Sequence, residues 1–168
     1  MPQSKYPEQI WCTIKHVRGE LLVGVCYRSG NETLFSKEIN YKLLELIAKI
    51  KNKQVILIVD FNYPDIEWSR LQAKSEASQT FVDCMKDSYL TQHVAEATRG
   101  ENVLDLVITS DPGMTSKMNI LGQFGKSDHS LLQWETEVMV ASKRAFRPTL
   151  DYGKANYPLM KKELRSMN

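Results

Sequence analysis

Three short segments of the 168-residue sequence place polar side chains where chemistry could occur. The apolar run VILIV ends on Asp60 and Asn62, Asp105 lies within a second apolar run, LDLVIT, and Asp128 and His129 directly precede a third. Mg²⁺ prefers oxygen ligands, and a neighbouring imidazole can move a proton or stabilise charge on a phosphoryl oxygen. Carboxylates that converge with a histidine are therefore suited to metal-assisted hydrolysis.

The same residues also have structural interpretations. An aspartate at the end of a strand commonly forms a turn with its own backbone. A single histidine can serve only to hold neighbouring segments together. On the residues alone, phosphoester hydrolysis and a purely structural role both remain open.

The apolar periodicity indicates which elements must position these side chains. Period-two patterns and short apolar runs predict strands over residues 11–17, 21–27, 55–59, 104–109, 118–121 and 131–140. The turn residues Arg18-Gly19-Glu20 predict a hairpin between the first two strands, and the fully apolar run over residues 55–59 predicts a strand covered on both faces. Helical periods predict helices over residues 33–52, 75–88 and 157–167, with Thr33 as an N-cap of the first and with Phe81, Cys84 and Met85 facing inward in the second. Strands separated by helices predict an α/β layered domain, in which functional side chains collect just past strand ends.

Composition is that of a soluble globular protein, with 42% hydrophobic and 25% charged residues. No apolar run approaches the roughly 18 residues that span a bilayer, so we expect no membrane partner. The cysteines Cys12, Cys26 and Cys84 form no Cys-x-x-Cys pair. We therefore expect free thiols and an intracellular protein, in the nucleus or the cytoplasm.

Charge is divided unevenly along the chain. Residues 143–168 hold seven Lys and Arg residues against two acidic residues, a net charge of +5, whereas residues 1–142 carry −3. A basic appendage on a mildly acidic body suits an anionic partner, although a solvated helical face would look the same.

The order of the motifs adds a resemblance to these patterns. VDFN, then LDLVIT, then KSDHSLL resemble the signatures of the endonuclease/exonuclease/phosphatase superfamily, which has the deoxyribonuclease I-like fold. CYRSGN, DFNYPDIEW and TRGENVLDLVIT are similar to segments of the endonuclease domain of LINE-type, non-LTR retrotransposons. The resemblance implies an α/β layered β-sandwich flanked by helices.

It also implies roles for single residues. Asp60 would position or activate the attacking water, and Asn62 would hold the scissile phosphate. His129 would contact the phosphate, with Asp105 orienting its ring, and Tyr27 would stand near the phosphate or the leaving oxygen.

Further roles concern the metal and the substrate. Asp128 would belong to the metal-binding side, and Thr98 and Arg99 would lie close to DNA. The implied cofactor is Mg²⁺ or Mn²⁺, without an organic cofactor, and the implied partner is DNA; the oligomeric state stays open.

The sequence departs from the family pattern in two places. Val59 stands where the family usually has glycine, so we expect it to crowd the site. The family's preceding strand–helix–strand segment, with a metal-binding Glu, has no counterpart, and Glu8 lies in a different context. We therefore predict a nuclease domain incomplete at its N-terminus over residues 1–142, with weak metal binding.

Residues 143–168 contain LDYGKANYPLMKKEL, which resembles the basic connector that leads from the nuclease to a reverse transcriptase, here absent. The predicted function is Mg²⁺-dependent DNA nicking by an endonuclease of retrotransposon origin, impaired in this chain. A non-catalytic remnant that binds nucleic acid or a partner is the alternative, and a phosphatase acting on small esters is a third.

Overall fold

This computed structural model describes residues 8–17, 19–28, 44–50, 53–137 and 152–166. Strands β1 (Glu8–His16) and β2 (Gly19–Tyr27) form the predicted antiparallel hairpin. Gly19 has a φ of 142°, a conformation that L side chains rarely adopt, so glycine permits the tight reversal.

A five-stranded sheet forms the centre of the molecule, in the order β1-β2-β3-β7-β6. Its other members are β3 (Gln54–Asp60), β6 (Thr91–Gln92) and β7 (Asp105–Thr109). β3 runs parallel to β2 and antiparallel to β7. The apolar run of β3 is buried on both faces, as predicted for an interior strand.

Helices cover one face of this sheet. Residues 44–50 are helical (α1), which confirms that part of the predicted helix over residues 33–52; Thr33 lies outside the described residues. Helix α2 (Glu76–Asp87) is capped by Ser75, whose side chain accepts a hydrogen bond from the backbone N–H of Ser78. The core beneath the helices is a single apolar cluster that includes Ile47, Ile50, Leu57, Phe61, Phe81 and Met85. The predicted inward positions of α2 are confirmed for Phe81 and Met85, and Cys84 packs against this core half-buried.

A second, two-stranded sheet covers the opposite face. Strands β8 (Ser116–Gln123) and β9 (Ser130–Glu135) pair antiparallel and pack Met118, Ile120, Leu132 and Trp134 against the central sheet. The predicted final strand over residues 131–140 is wrong at Thr136 and Glu137, because β9 ends at Glu135, where polar side chains replace the preceding alternation; residues 138–140 lie outside the described residues.

The fold is thus the predicted α/β layered arrangement, with helices on one side of the sheet and a hairpin on the other. The sequence analysis missed the short pair β4 (Ile66–Glu67) and β5 (Gln72–Ala73), which is only two residues per strand. Helix α3 (Tyr157–Ser166) lies in the basic tail and buries none of its side chains. Within the described part of the chain, no helix is long and apolar enough to cross a membrane.

Candidate active site

Three adjacent strands place polar side chains in one row. Tyr27 of β2 stands beside Asp60 of β3 in the parallel register, and Asp60 stands opposite Asp105 of β7 in the antiparallel register. Side chains at paired positions project from the same face of a sheet. This face is the one that the β8–β9 hairpin covers, because Ile58 and Val107, two residues away on their strands, pack under the hairpin.

His129 reaches the row from the loop that precedes β9. Its Nδ1 lies 2.8 Å from Oδ2 of Asp105, and both side chains are largely buried, with 26% and 22% of their surface exposed. One ligand atom each of Asp60, Asp105 and His129 lie within 4.8 Å of one another. The structure therefore brings together three residues that are far apart in sequence, and the Asp105–His129 contact has the geometry expected of an oriented imidazole.

The turn after β3 is held by reciprocal bonds with Arg28. The backbone N–H of Arg28 donates to the carbonyl of Asp60 at 2.8 Å, and Nδ2 of Asn62 donates to the carbonyl of Arg28 at 3.0 Å. Nη1 of Arg28 donates to the carbonyl of Phe61 at 2.5 Å, and the guanidinium lies 4.3 Å from the centre of the Tyr63 ring. These bonds keep Asn62 in the left-handed conformation, with a φ of 50°, at the mouth of the site.

Arg28 is a site residue that the sequence analysis missed. It is only 6% exposed, which is rare for an arginine. Its position directly after Tyr27, in CYRSGN, was the available signal. Its burial follows from the parallel pairing of β2 with β3, which no local pattern reveals.

Thr98 is hydrogen-bonded to two of the segments that form the site, the start of β7 and the start of β9. Its side chain is buried, with 1% exposed, and Oγ1 accepts the backbone N–H groups of Leu104 at 3.1 Å and Asp105 at 3.0 Å. Its carbonyl accepts the N–H of Ser130, next to His129, at 2.8 Å. The hydroxyl of Thr98 is thus engaged inside the protein, and the expectation that Thr98 lies close to DNA stays a prediction.

Arg99 and Asp128 form an ion pair at the rim. Nε of Arg99 lies 2.6 Å from Oδ2 of Asp128, and the aspartate side chain is 64% exposed. Desolvation alone would raise the pKa of Asp128, but the hydrogen bond and charge of Arg99 outweigh it and hold that pKa below its usual value. Asp128 lies outside the cluster of Asp60, Asp105 and His129, although its Oδ1 is 3.8 Å from Nε2 of His129.

The two clustered carboxylates oppose each other electrostatically. Burial raises the pKa of Asp60, and the charge of Asp105 raises it further, while His129 lowers it by less. A cation between the carboxylates would relieve both penalties. Carboxylate oxygens are the ligands that hard divalent ions prefer, so Asp60 and Asp105, with His129 beside them, could hold the metal that the fold family implies.

The cluster opens into a cleft of about 430 Å³ between the central sheet and β9. Tyr27, Asp60 and Asp105 line its polar end, and Leu132 and Trp134 line its apolar wall. Val59 also borders this cleft. Because successive strand residues point to opposite faces, its side chain packs in the core beneath the helices, so the structure gives no support to the expected crowding of the site by that side chain.

Comparisons with known proteins identify the family of the chain. Residues 21–133 match the profile of a family described as endonuclease-reverse transcriptase. Among curated protein sequences, none matches the chain significantly.

Solved structures give the same fold. The endonuclease domain of TRAS1, a telomere-specific non-LTR retrotransposon, aligns with a TM-score of 0.58 at 10% identity, over 77% of this chain and 64% of that one. A 3′-5′ exonuclease (NExo) from Neisseria meningitidis aligns with a TM-score of 0.54 at 16% identity, over 70% of this chain and 61% of that one. The chain spans less than two thirds of either structure.

Both alignments identify a nuclease-like fold. The profile match covers more than half of the sequence, and the fold is that of the deoxyribonuclease I-like superfamily. This chain therefore belongs to the endonuclease-reverse transcriptase family, within the endonuclease/exonuclease/phosphatase superfamily.

Proposed function

We propose that this chain carries the site of a Mg²⁺-dependent endonuclease of retrotransposon origin, which nicks one strand of DNA. The observation that carries the proposal is the convergence of Asp60, Asp105 and His129 in one partly buried cluster at the mouth of a cleft. Three separate segments supply these residues, and a merely structural role would not require two mutually repelling carboxylates at the same place.

The roles follow from the contacts. Because Nδ1 of His129 faces Asp105, Nε2 is the nitrogen that can reach a phosphoryl oxygen. Asp105 fixes the tautomer and the orientation of that ring. Asp60, whose raised pKa makes it a better base than an exposed aspartate, activates or positions the attacking water. Asn62 contacts the phosphate and Tyr27 stands near the leaving oxygen, since both lie beside Asp60.

The metal would be held on the carboxylate side of this cluster, with Asp128 at the rim. When bound, a divalent ion offsets negative charge on the phosphate and lowers the pKa of a coordinated water. Binding would be weak, because few carboxylates are present and Asp128 is already engaged by Arg99. Impaired catalysis in this chain is consistent with that arrangement.

A nicking assay on supercoiled plasmid tests the proposal. We expect Mg²⁺-dependent conversion to the open circle, reduced at least about 100-fold in His129→Ala and in Asp60→Asn. Asp60→Asn is the sharper variant, because replacing a destabilised carboxylate with an amide should leave the protein at least as stable as the parent. Loss of nicking with an unchanged melting temperature would then report chemistry and not unfolding.

A second candidate is a non-catalytic remnant that binds nucleic acid or a partner. Its supporting observation is that Asp128 and the Asn62 amide are both occupied within the protein. DNA retention without nicking at any Mg²⁺ concentration would favour this candidate over the enzyme. Turnover of a small phosphate ester with no cleavage of DNA would instead favour a phosphatase.

Residues 143–168 are proposed as a basic connector between residues 1–142, the nuclease domain, and a reverse transcriptase. The tail supplies seven positive side chains, four of which lie on or next to α3 (Lys154, Lys161, Lys162 and Arg165). They would contact DNA phosphates without reading sequence. Such a substrate places the protein inside the cell, in the nucleus or the cytoplasm.

A further inference from the structure

One end of the β8–β9 hairpin carries an exposed apolar patch at the rim of the site. Phe124 is 79% exposed, and the cross-strand neighbours Leu121 and Leu131 are 41% and 47% exposed. Farther along the same outer face the cross-strand pair is polar, Asn119 with Gln133. The patch is therefore confined to the end of the hairpin that borders His129.

The turn that carries Phe124 is fixed to the site by hydrogen bonds. The N–H of Ser127 donates to the carbonyl of Phe124 at 3.1 Å, around Gly125 with a φ of 64°. Oγ of Ser127 in turn accepts the N–H of His129 at 3.1 Å. The backbone that carries the Phe124 ring is thus held at a defined place beside the histidine.

The turn and the strand ends beside it present an aromatic ring, two leucine side chains and a positive charge. Lys126 is exposed within the same turn. Nucleobases stack on aromatic side chains, and lysine contacts the flanking phosphates, so this combination suits nucleic acid. Three residues are also far fewer than the roughly 20 to 30 per side that stable protein interfaces use.

Resting on the nuclease function proposed above, we propose that Phe124 stacks on a nucleobase next to the cleaved phosphodiester. Stacking requires that base to leave its own stack. A duplex that is already unpaired at this place meets that requirement in advance, whereas a fully paired duplex does not. The turn from Phe124 to Ser127 therefore favours DNA with unpaired bases at the cleavage site.

Binding in EDTA, where no cleavage occurs, separates this role from catalysis. The probes are a short fluorescein-labelled duplex with a central unpaired bubble and the same duplex fully paired, followed by anisotropy. We expect the parent to bind the bubble more tightly, and Phe124→Ala to weaken bubble binding by roughly 5-fold or more while changing paired-duplex binding less. Phe124→Trp should keep the preference, and its added emission should be quenched when the bubble saturates the protein.

The matched control is Tyr89→Ala. Tyr89 is an equally exposed aromatic, at 80%, on the turn after α2 and thus on the other side of the sheet. This variant should bind both probes like the parent.

Equal binding of the bubble by the parent and Phe124→Ala would overturn the inference, as would unchanged emission of Phe124→Trp at saturation. If the parent is a dimer that Phe124→Ala dissociates without altering DNA binding, the patch is a self-association surface and the inference also fails. A parent that binds neither probe would defeat the proposed nuclease function itself.

Discussion

Thr98 links the two segments that carry the Asp105–His129 pair, through its hydroxyl on one side and its backbone carbonyl on the other. Oγ1 of Thr98 accepts two backbone N–H groups at the start of β7, and the carbonyl of Thr98 accepts a third at the start of β9. The hydroxyl is buried, so water cannot replace it if it is removed. A buried N–H without a partner costs about 1–3 kcal/mol, which makes this residue a positioning residue for the site.

Thr98→Val tests that role, because valine keeps the shape of threonine and removes only the acceptor. We expect the free energy of unfolding to fall by about 2 kcal/mol in urea titrations. The imidazole resonances of His129 should also shift in NMR spectra, since the start of β7 carries its partner Asp105. Thr98→Ser, which keeps the hydroxyl, should restore most of the lost stability and return the His129 resonances close to their parental positions. Equal values for the valine and serine variants would show that the hydroxyl has no such role.

Among the elements, helix α2 has a carboxylate, that of Asp65, hydrogen-bonded to the residues at its N-terminus. Oδ2 of Asp65 accepts the N–H of Ser75 at 2.7 Å, and Oδ1 accepts the hydroxyl of Ser78 at 2.5 Å. Desolvation alone would raise the pKa of Asp65, but these hydrogen bonds outweigh it and hold that pKa below its usual value. The negative charge of the carboxylate also interacts favourably with the positive end of the helix dipole.

The sign of the resulting pH dependence is fixed by the direction of the shift. A carboxyl with a lowered pKa in the folded state stabilises the fold at pH values above its unfolded pKa of about 3.9, and this contribution is lost as the pH falls through the folded value. Asp65→Asn should therefore lower the free energy of unfolding by about 1 kcal/mol at pH 7 and by much less near pH 3.

Urea unfolding at both pH values measures this difference. Asp83→Asn is the control, because Asp83 lies on the same helix and its carboxylate contacts the side chains of Gln79 and Lys86 at the surface. A loss in Asp65→Asn that stays constant with pH would contradict the assignment.

At the scale of the whole molecule, the DNA contacts proposed for the basic tail can be tested separately from those of the mildly acidic body. If the tail supplies phosphate contacts, deleting residues 143–168 should weaken DNA binding and flatten its dependence on salt. The slope of log Kd against log salt should fall by about one for each phosphate that the tail neutralises in the parent. Anisotropy titrations of the parent and of the deletion variant at several salt concentrations measure the two slopes. A deletion with the parental slope would reduce the tail to a linker.

Much of this architecture is readable from the sequence because its signals are local. The apolar run before Asp60 predicted the interior strand, and the turn residues Arg18-Gly19-Glu20 predicted the hairpin. The expectation that Asp105 orients His129 came instead from the resemblance that the ordered motifs carry. Local patterns suffice where burial on one or both faces dictates the residue types.

The remaining features depend on pairing between distant segments. Arg28 becomes buried only because β2 lies parallel to β3. Thr98 can accept hydrogen bonds from both segments only because the starts of β7 and β9 lie next to it. The engagement of Asp128 by Arg99 likewise needs the two loops in place. No periodicity of the sequence indicates these contacts between distant segments, so the sequence analysis could not predict them.

The non-local character of the site has a kinetic consequence. The Asn62–Arg28 bond spans 34 residues and the His129–Asp105 bond spans 24, and β2 with β3 is a parallel pair that only a long crossover can close. Contacts between distant segments form slowly, since chain entropy is lost before they stabilise anything. Helical signal should thus recover early during refolding and the histidine contact late. Formation of the polar cluster would then mark the end of folding. A folding intermediate that precedes this step would contain the helices but not the site.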